Sequence, residues 1–552
     1  MDLTVVVICS LALAAIVSTR FSNRFGVPAL VLFVALGMFA GSSGPLGIEF
    51  DNYGLAYNIG LMSLAMILYS GGLETKMRLF RVAVAPAGML ATIGTAITMT
   101  IVGLFAWWLT PLDLITSMLL GAVISSTDAA AVFTSLKGRG LPARLRGVVE
   151  AESGSNDPVA ILFTLAFASA ATSGQLRTGP MVVGIIVQLA LGAIVGVLLA
   201  RLLAWLINKV RLESFGLYPI LALAGGLFIY AVTNIVGGNG FLAVYFAGLV
   251  LANSRLAHRY SIASFMEAVA WGSQILMFIM LGLLVFPDRL VEILPVALAI
   301  TAVVMLLARP IAVMGTLGIL RLLSFGRYTF DPRERVLLSW AGLKGAVPII
   351  LAIVPLTLGV TGAEYIFNVI FVVVIVGTVI QGFTLGPLAQ RLGIAVAEPP
   401  PSTLRLELGG EAPIGSSVTD VYLAAESRAV GSRIVDLKLP EDVVIAAVLR
   451  SGELVTPRGS TVFEAGDHVY LISSNSDAGT PTAFQPRPSP RTPARKAEEE
   501  VLGSPPDEEA EVEEVGVGGL DRSPVGPRGG EDAPADRQRD ETGVEDEEPT
   551  PG

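Results

Sequence analysis

The chain of 552 residues has a mean hydropathy of +0.68, with 53% hydrophobic and only 15% charged residues, a composition outside the range of soluble globular proteins. Its net charge of −10 is local: residues 476–552 hold 8 Lys/Arg against 20 Asp/Glu, and the rest of the chain is slightly positive. One cysteine, Cys9, and two histidines, His258 and His468, exclude a disulfide framework, a Cys/His zinc site, a haem attachment motif and a histidine relay.

Apolar runs of spanning length, about 20 residues for a hydrocarbon core of ~30 Å, recur from residue 3 to 388. Thirteen are predicted: 3–19, 26–42, 55–73, 82–109, 112–136, 147–170, 180–208, 216–236, 239–254, 265–286, 290–320, 336–357 and 364–388. An odd number puts the two ends on opposite sides. Lys and Arg in short loops concentrate on the cytoplasmic side. With the N-terminus outside, the cytoplasmic loops hold eighteen of them, in the groups Arg20/Arg24, Lys76/Arg78/Arg81, Lys137/Arg139/Arg144/Arg146, Lys209/Arg211, Arg255/Arg259, Arg321/Arg327/Arg333/Arg335 and Arg391. The outer loops hold only Arg177 and Arg289, while Arg201, near the inner end of the seventh run, can snorkel inward. The first run lacks a basic leader and a small-residue cleavage site before Arg20, so it reads as a span and not as a secretory signal.

After Arg391 the pattern changes. Residues 1–395 form the membrane domain, and Glu398-Pro-Pro-Pro401 marks a linker over 396–402. Residues 403–475 read as a small cytoplasmic α/β domain: Val418–Ala424, Val443–Leu449 and His468–Ser473 as strands, Ser451-Gly452 as a hairpin turn, Ser432–Leu437 as a short helix. Residues 476–552, with 12 of the 33 prolines and acidic runs such as Glu545–Glu548, cannot bury enough apolar surface to offset their ordering entropy and are expected to be disordered.

Within the spans, ionisable residues are the functional signal, because a charge in hydrocarbon is costly. The fifth run reads Ile124-Ser-Ser-Thr-Asp-Ala-Ala-Ala131, with Thr127 beside Asp128. The sixth reads Glu150-Ala-Glu-Ser-Gly-Ser-Asn-Asp-Pro158. There Glu152/Asn156 and Ser153/Asp157 are i,i+4 pairs, each sharing a face, and Pro158 frees the carbonyl of Gly154. Arg309 lies in the eleventh run, and Lys344 in the twelfth within Trp340-Ala-Gly-Leu-Lys-Gly-Ala-Val-Pro348, whose glycines and proline predict local unwinding. Carboxylate, hydroxyl and carbonyl oxygens without thiolate or imidazole suit a hard monovalent cation, K+ or Na+. A carboxylate that holds either the cation or a proton, never both, gives exchange by competition. Arg309 and Lys344 would offset the negative charge.

Ser125-Ser-Thr-Asp128, Glu152-Ser-Gly-Ser-Asn-Asp157, the arginine of the eleventh run and Gly342-Leu-Lys-Gly-Ala-Val-Pro348 together resemble the monovalent cation:proton antiporter-1 family, and its bacterial NhaP-type potassium/proton branch in particular. The resemblance covers about residues 1–395. It implies an all-α polytopic fold with an NhaA-like inverted repeat, in which the fifth and twelfth helices are discontinuous and cross at the ion site. It implies Asp157 as the main exchange carboxylate, with Asp128, Thr127, Ser153 and Asn156 at the site and Glu152 paired with Arg309. Lys344 and Glu74 are candidate modulators; Glu74 enters because relatives often carry an acid before the paired glycines of the third span, where this chain has Ser70. Asn-Asp, in place of Asp-Asp, implies electroneutral exchange. The family also implies a homodimer in the bacterial inner membrane, a role in pH homeostasis and no cofactor. Residues 403–475, with Gly431-Ser-Arg-Ile-Val-Asp-Leu437 and Gly466-Asp-His-Val-Tyr470, resemble the TrkA-C (RCK-C) domain, open to a small-ligand regulator.

Other classes fit less well. A cation channel would need a filter loop of the Thr-Val-Gly-Tyr-Gly type, which is absent from the sequence. A membrane enzyme would need a nucleophile, metal or histidine base beside the carboxylates, and an anion or organic-solute carrier would favour basic residues at the site. No nucleic-acid partner is indicated. Within the exchanger class, sodium is the alternative to potassium. His258 and His468 are candidate pH sensors, and Cys9 is read as packing.

Overall fold

A chain in hydrocarbon must satisfy its backbone polar groups internally, which leaves the helix as the only open-chain solution. The apolar runs fold accordingly. The computed structural model describes residues 2–25, 28–50, 52–136, 139–176, 178–345, 347–397, 417–437, 439–440, 443–473 and 481–484. Each of the thirteen runs corresponds to a helix or an interrupted helix: α1 (Asp2–Phe25), α2 (Ala29–Ala40), α3 (Tyr53–Glu74), α4 (Met77–Leu109), α5 (Leu114–Ile124, then Ala129–Leu136), α6 (Ala143–Ser173), α7 (Thr178–Lys209), α8 (Leu217–Ile235), α9 (Gly240–Ala252), α10 (Arg259–Leu283), α11 (Arg289–Leu323), α12 (Pro332–Trp340, then Val347–Thr357) and α13 (Ala363–Arg391).

Length and hydropathy qualify seven of these to cross a membrane alone (α3, α4, α7, α8, α10, α11 and α13), and α5 is an eighth if its two halves, bent by 47°, count as one span. The shorter α9 is buried along almost its whole length. It crosses α3 where Gly72 meets Gly248; a Cβ on Gly72 would lie 2.3 Å from the Tyr245 carbonyl oxygen, so only glycine permits the approach.

The helices fall into two packed groups. One contains α1–α3 and α7–α10, the other α4–α6 and α11–α13. The second group repeats itself: α4 and α11 each carry a π-helical turn (Leu90–Gly94 and Val304–Ala308), α5 and α12 are each interrupted, and α6 and α13 are long and continuous. Seven segments separate each element from its counterpart. An odd offset reverses direction across the bilayer, which makes the repeat inverted.

Beyond α13, β2 (Val396–Ala397) pairs antiparallel with β1 (Arg139–Gly140), tying the start of the expected linker to the α5–α6 connection. The soluble domain is a four-stranded antiparallel sheet in the order β3 (Ser417–Tyr422), β6 (His468–Ser473), β4 (Val443–Arg450), β5 (Glu453–Val455). Ser451 and Gly452 both take positive φ (52° and 88°) and close the β4–β5 hairpin, as a two-residue turn of this kind requires. The expected short helix is a 3₁₀ turn, Ile434–Asp436.

One boundary moves. Residues 481–484, placed by composition in the disordered tail, pack on this sheet: the Phe484 ring meets Phe463 edge-on at 5.9 Å, and Ser427 Oγ donates to the Phe484 carbonyl at 3.0 Å. A single aromatic in a polar segment suffices to anchor it, which a compositional average does not register. Residues 398–416, 474–480 and 485–552, and with them most of the expected linker and tail, lie outside the described residues, as do Lys137 and Arg177.

Candidate ion-exchange site

The interruptions in α5 and α12 meet. Asp128 N–H donates to the Leu343 carbonyl at 2.9 Å, so the unwound stretch 125–128 of one helix is stitched to the unwound stretch 341–345 of the other. Unwinding leaves carbonyls without helical partners, and the site uses them. Lys344 Nζ donates to the Ser126 carbonyl at 2.8 Å and reaches the Ser125 carbonyl at 3.5 Å. Thr378 Oγ1, from α13, donates to the Lys344 carbonyl at 2.7 Å, and Gln381 Nε2 to the Trp340 carbonyl at 3.1 Å.

The glycines beside Lys344 have separate steric reasons. A Cβ on Gly345 would stand 2.0 Å from Asp128 Oδ2, and one on Gly342 would stand 2.6 Å from Arg309 Nε. Both are sites where a side chain of another segment takes the space that a methyl group would fill.

α6 passes this crossing and runs through Pro158 without a break. Ser153 Oγ donates to the Thr127 carbonyl at 2.9 Å and accepts from Ala129 N–H at 3.1 Å, bridging the gap in α5. Asn156 Nδ2 donates to Thr127 Oγ1 at 2.5 Å. Ser153 and Asn156, three residues apart and one from each i,i+4 pair, thus both turn toward the unwound stretch. Asp128 Oδ1 accepts from Ala131 N–H at 3.2 Å, capping the second half of α5.

Asp157 lies one position further along α6 and is 4% exposed. Among the described residues its Oδ1 has no hydrogen-bond partner, nor does Asn156 Oδ1 beside it. Its charged neighbours are Asp128 and Lys344. Glu152 forms a salt bridge with Arg309 at 2.6 Å, both side chains buried. Arg309 owes its position to the π turn before it: its N–H bonds the Val304 carbonyl five residues back, and Pro310 offers no N–H to the following turn.

Of the nine positions the sequence selects, eight gather here: Asp157, Asp128, Thr127, Ser153, Asn156, Glu152, Arg309 and Lys344. Glu74 does not join this buried cluster; it is exposed at the end of α3. Sequence reasoning missed Thr378, Gln381 and the backbone oxygens of Ser126 and Leu343. The first two carry a legible signal, polar side chains at i,i+3 following the apolar run Val369–Gly377 of α13. The backbone oxygens carry none, because any residue has one.

Comparison with known proteins follows this geometry. Residues 10–391 match the family described as sodium/hydrogen exchanger, transmembrane, and residues 418–480 match the TrkA-C domain. The chain is 42% identical over 467 residues to the K(+)/H(+) antiporter NhaP2 of Shewanella sp. strain ANA-3, covering 84% of this chain and 79% of the relative. It is 39% identical over 480 residues to the K(+)/H(+) antiporter NhaP of Alkalimonas amylolytica, covering 86% and 82%. In fold it is similar to the sodium proton antiporter MjNhaP1 of Methanocaldococcus jannaschii, with a TM-score of 0.59 at 21% identity over 71% of this chain and 99% of the other.

Proposed function

Because the chain belongs to the sodium/hydrogen exchanger family, we propose that it is a secondary active antiporter that exchanges K+ for H+ electroneutrally at Asp157. One observation carries the reading: a buried carboxylate, Asp157, with an oxygen left unpartnered among the described residues, on the helix that passes the crossing of two broken helices and next in sequence to Asn156, whose Oδ1 is also unpartnered. Leaving buried polar atoms unpaired is costly. A carboxylate oxygen kept this way is suited to a partner that comes and goes.

Charge balance supports the stoichiometry. Asp157, Asp128 and Glu152 are three carboxylates, and Arg309 and Lys344 are two cations. One further positive charge closes the balance, and H+ or a monovalent cation supplies it equally well. Asp157 can then bind either ion, and not both, so taking up one releases the other. Asp128, Thr127, Ser153 and Asn156 set the oxygen geometry around the ion, while the Glu152–Arg309 pair stays neutral and holds α6 to α11. The ion reaches one side of the membrane at a time when the group containing α4–α6 and α11–α13 shifts against the other group.

The choice of potassium rests on the relatives named as K(+)/H(+) antiporters. Sodium is the second reading, favoured by the name of the structural neighbour. The loop charge asymmetry supports an outside N-terminus and a cytoplasmic sheet domain in a bacterial inner membrane. The sheet domain, as a TrkA-C match, is read as regulatory and open to a small ligand, and the working unit as a homodimer.

Reconstitution in vesicles with an imposed pH gradient tests the reading. Addition of K+ should collapse the gradient, with the membrane potential clamped or free, and Asp157→Asn should abolish the response. Collapse with Na+ alone would transfer the assignment to sodium. No response to either ion from correctly inserted protein would overturn exchange altogether.

A further inference from the structure

Away from the ion site, an open cleft of about 550 Å³ is lined by Met77, Arg78, Arg81 and Val82 at the start of α4, Arg201 on α7, and Val250, Asn253 and Ser254 at the end of α9. Among the described residues, three arginines line it and no aspartate or glutamate does. None of its lining residues belongs to the exchange cluster.

Two independent features give this cleft one electrostatic sign. The first is depth. Arg201 precedes Lys209, the last residue of α7, by eight positions, about 12 Å of helix, so its backbone lies inside the span while its long, exposed side chain brings the guanidinium to the open cleft. Such a charge needs a counter-charge or a wet cavity, and among the described residues no carboxylate pairs with Arg201 or Arg81. The second is the beginning of α4. This helix of 33 residues opens into the cleft at Met77 and Arg78, where its first N–H, that of Met77, is already taken by Asn253. The positive end of a helix favours an anion. Asn253 marks the polar wall opposite: its Oδ1 accepts from Met77 N–H at 2.8 Å, and its Nδ2 donates to the Thr75 carbonyl at 3.1 Å.

We propose that this cleft binds a phosphate-bearing anion, which bridges α4 of one helix group to α7 and α9 of the other. Arg forks match phosphate oxygens bidentately, and the cleft holds more than one such fork. Because α4 belongs to the group that carries the ion site and α7 and α9 belong to the other, a bound anion restrains movement between them. The ligand therefore sets the exchange rate without touching the exchanged ion. The same chemistry is presented by the headgroup of an anionic lipid and by soluble phosphate.

The full-length purified protein separates these sources. In one arm, native mass spectrometry after exposure to mixed phosphatidylglycerol and phosphatidylcholine counts the lipid retained. In the other, thermal unfolding is followed with inorganic phosphate against chloride at equal ionic strength. Preferential retention of phosphatidylglycerol, weakened about tenfold or more in R81Q/R201Q and unchanged in R321Q/R327Q, supports the site with a lipid occupant. A phosphate-dependent stabilisation lost only in R81Q/R201Q supports it with a soluble one. If R81Q/R201Q does not fold, Arg81→Gln alone carries the same comparison. Neither effect in the wild type, or effects equal in the two double variants, would overturn the proposal.

Discussion

In the sheet domain, Asp467 is fully buried, and both of its oxygens are used: Oδ1 accepts from Arg450 Nε at 2.8 Å, and Oδ2 accepts from Arg450 Nη2 and Glu464 N–H, both at 2.8 Å. Asp467 in turn holds the Arg450 guanidinium more firmly protonated than usual. In the helical bundle, Asp157 is nearly as buried, yet one of its oxygens has no partner among the described residues. The Glu152–Arg309 pair stands between these cases: it is buried and ion-paired, yet Arg309 Nε has no hydrogen-bond partner among the described residues. The difference teaches where to look for function. A domain of about 70 residues has little stability to spare and completes the shell of its buried charge, whereas a large helical bundle can leave one shell open for an ion to fill.

The sharpest way to break this comparison is to remove the open carboxylate. Asp157→Asn preserves shape and deletes the exchangeable charge, so proton-coupled cation flux in vesicles should fall by about 10²-fold or more while the protein still inserts and purifies. A variant that keeps its flux would show that the open oxygen is structural. Next in size is Arg309→Gln. It strands the Glu152 charge in a dry setting, and breaking a buried pair costs about 3–5 kcal/mol, measured by thermal unfolding in detergent. Adding Glu152→Gln should recover most of that loss; a double variant as unstable as the single one would show that Arg309 acts through packing.

Much of this was legible in the chain. Thirteen helical runs follow from hydropathy, because the bilayer enforces one solution on every long apolar run. Five of the eight clustered residues, Asp128, Glu152, Asp157, Arg309 and Lys344, follow from the cost of charge in hydrocarbon, Thr127, Ser153 and Asn156 follow as their motif neighbours, and the i,i+4 spacing of Ser153 and Asp157 places those two on one face of α6. The interruption of α12 was legible as Gly342, Gly345 and Pro348, but its cause was not: Gly345 is required by the carboxylate of Asp128, more than two hundred residues away. Glu74 enters only as a stand-in for the acid that the resemblance implies at Ser70, and at the end of α3 it lies too far along the helix to take that place. The anchoring of residues 481–484 escaped because one buried phenylalanine outweighs a polar average.

A smaller effect sharpens the comparison from the closed side. Asp467→Asn keeps the volume but exchanges charge-assisted bonds for neutral ones around Arg450. Hydrogen bonds to charged groups contribute about 1.5–3 kcal/mol, so backbone hydrogen exchange in strands β4 and β6 should quicken. Ion flux at saturating cation should stay near wild type, since Asp467 is no part of the exchange cluster. Loss of flux comparable to that of Asp157→Asn would mean that the sheet domain gates the pathway through this bond.

The smallest expected change is Ser451→Gly. Ser451 holds φ +52° in the β4–β5 hairpin, a conformation that costs a residue with a Cβ about 1 kcal/mol, and glycine removes that cost. Glycine also gives the unfolded chain more freedom, which takes back about 0.4–1 kcal/mol, leaving a net change near zero or slightly stabilising. Hydrogen exchange at Leu449 and Leu454 on either side of the turn would read it. The substitution touches no carboxylate, buried or exposed. If it slowed exchange in the hairpin and left both flux and the Asp467 shell unchanged, the sheet's backbone stability and its charge shell would be separable. The effect of Asp467→Asn could then be assigned to the charge, with the fold of the domain held constant.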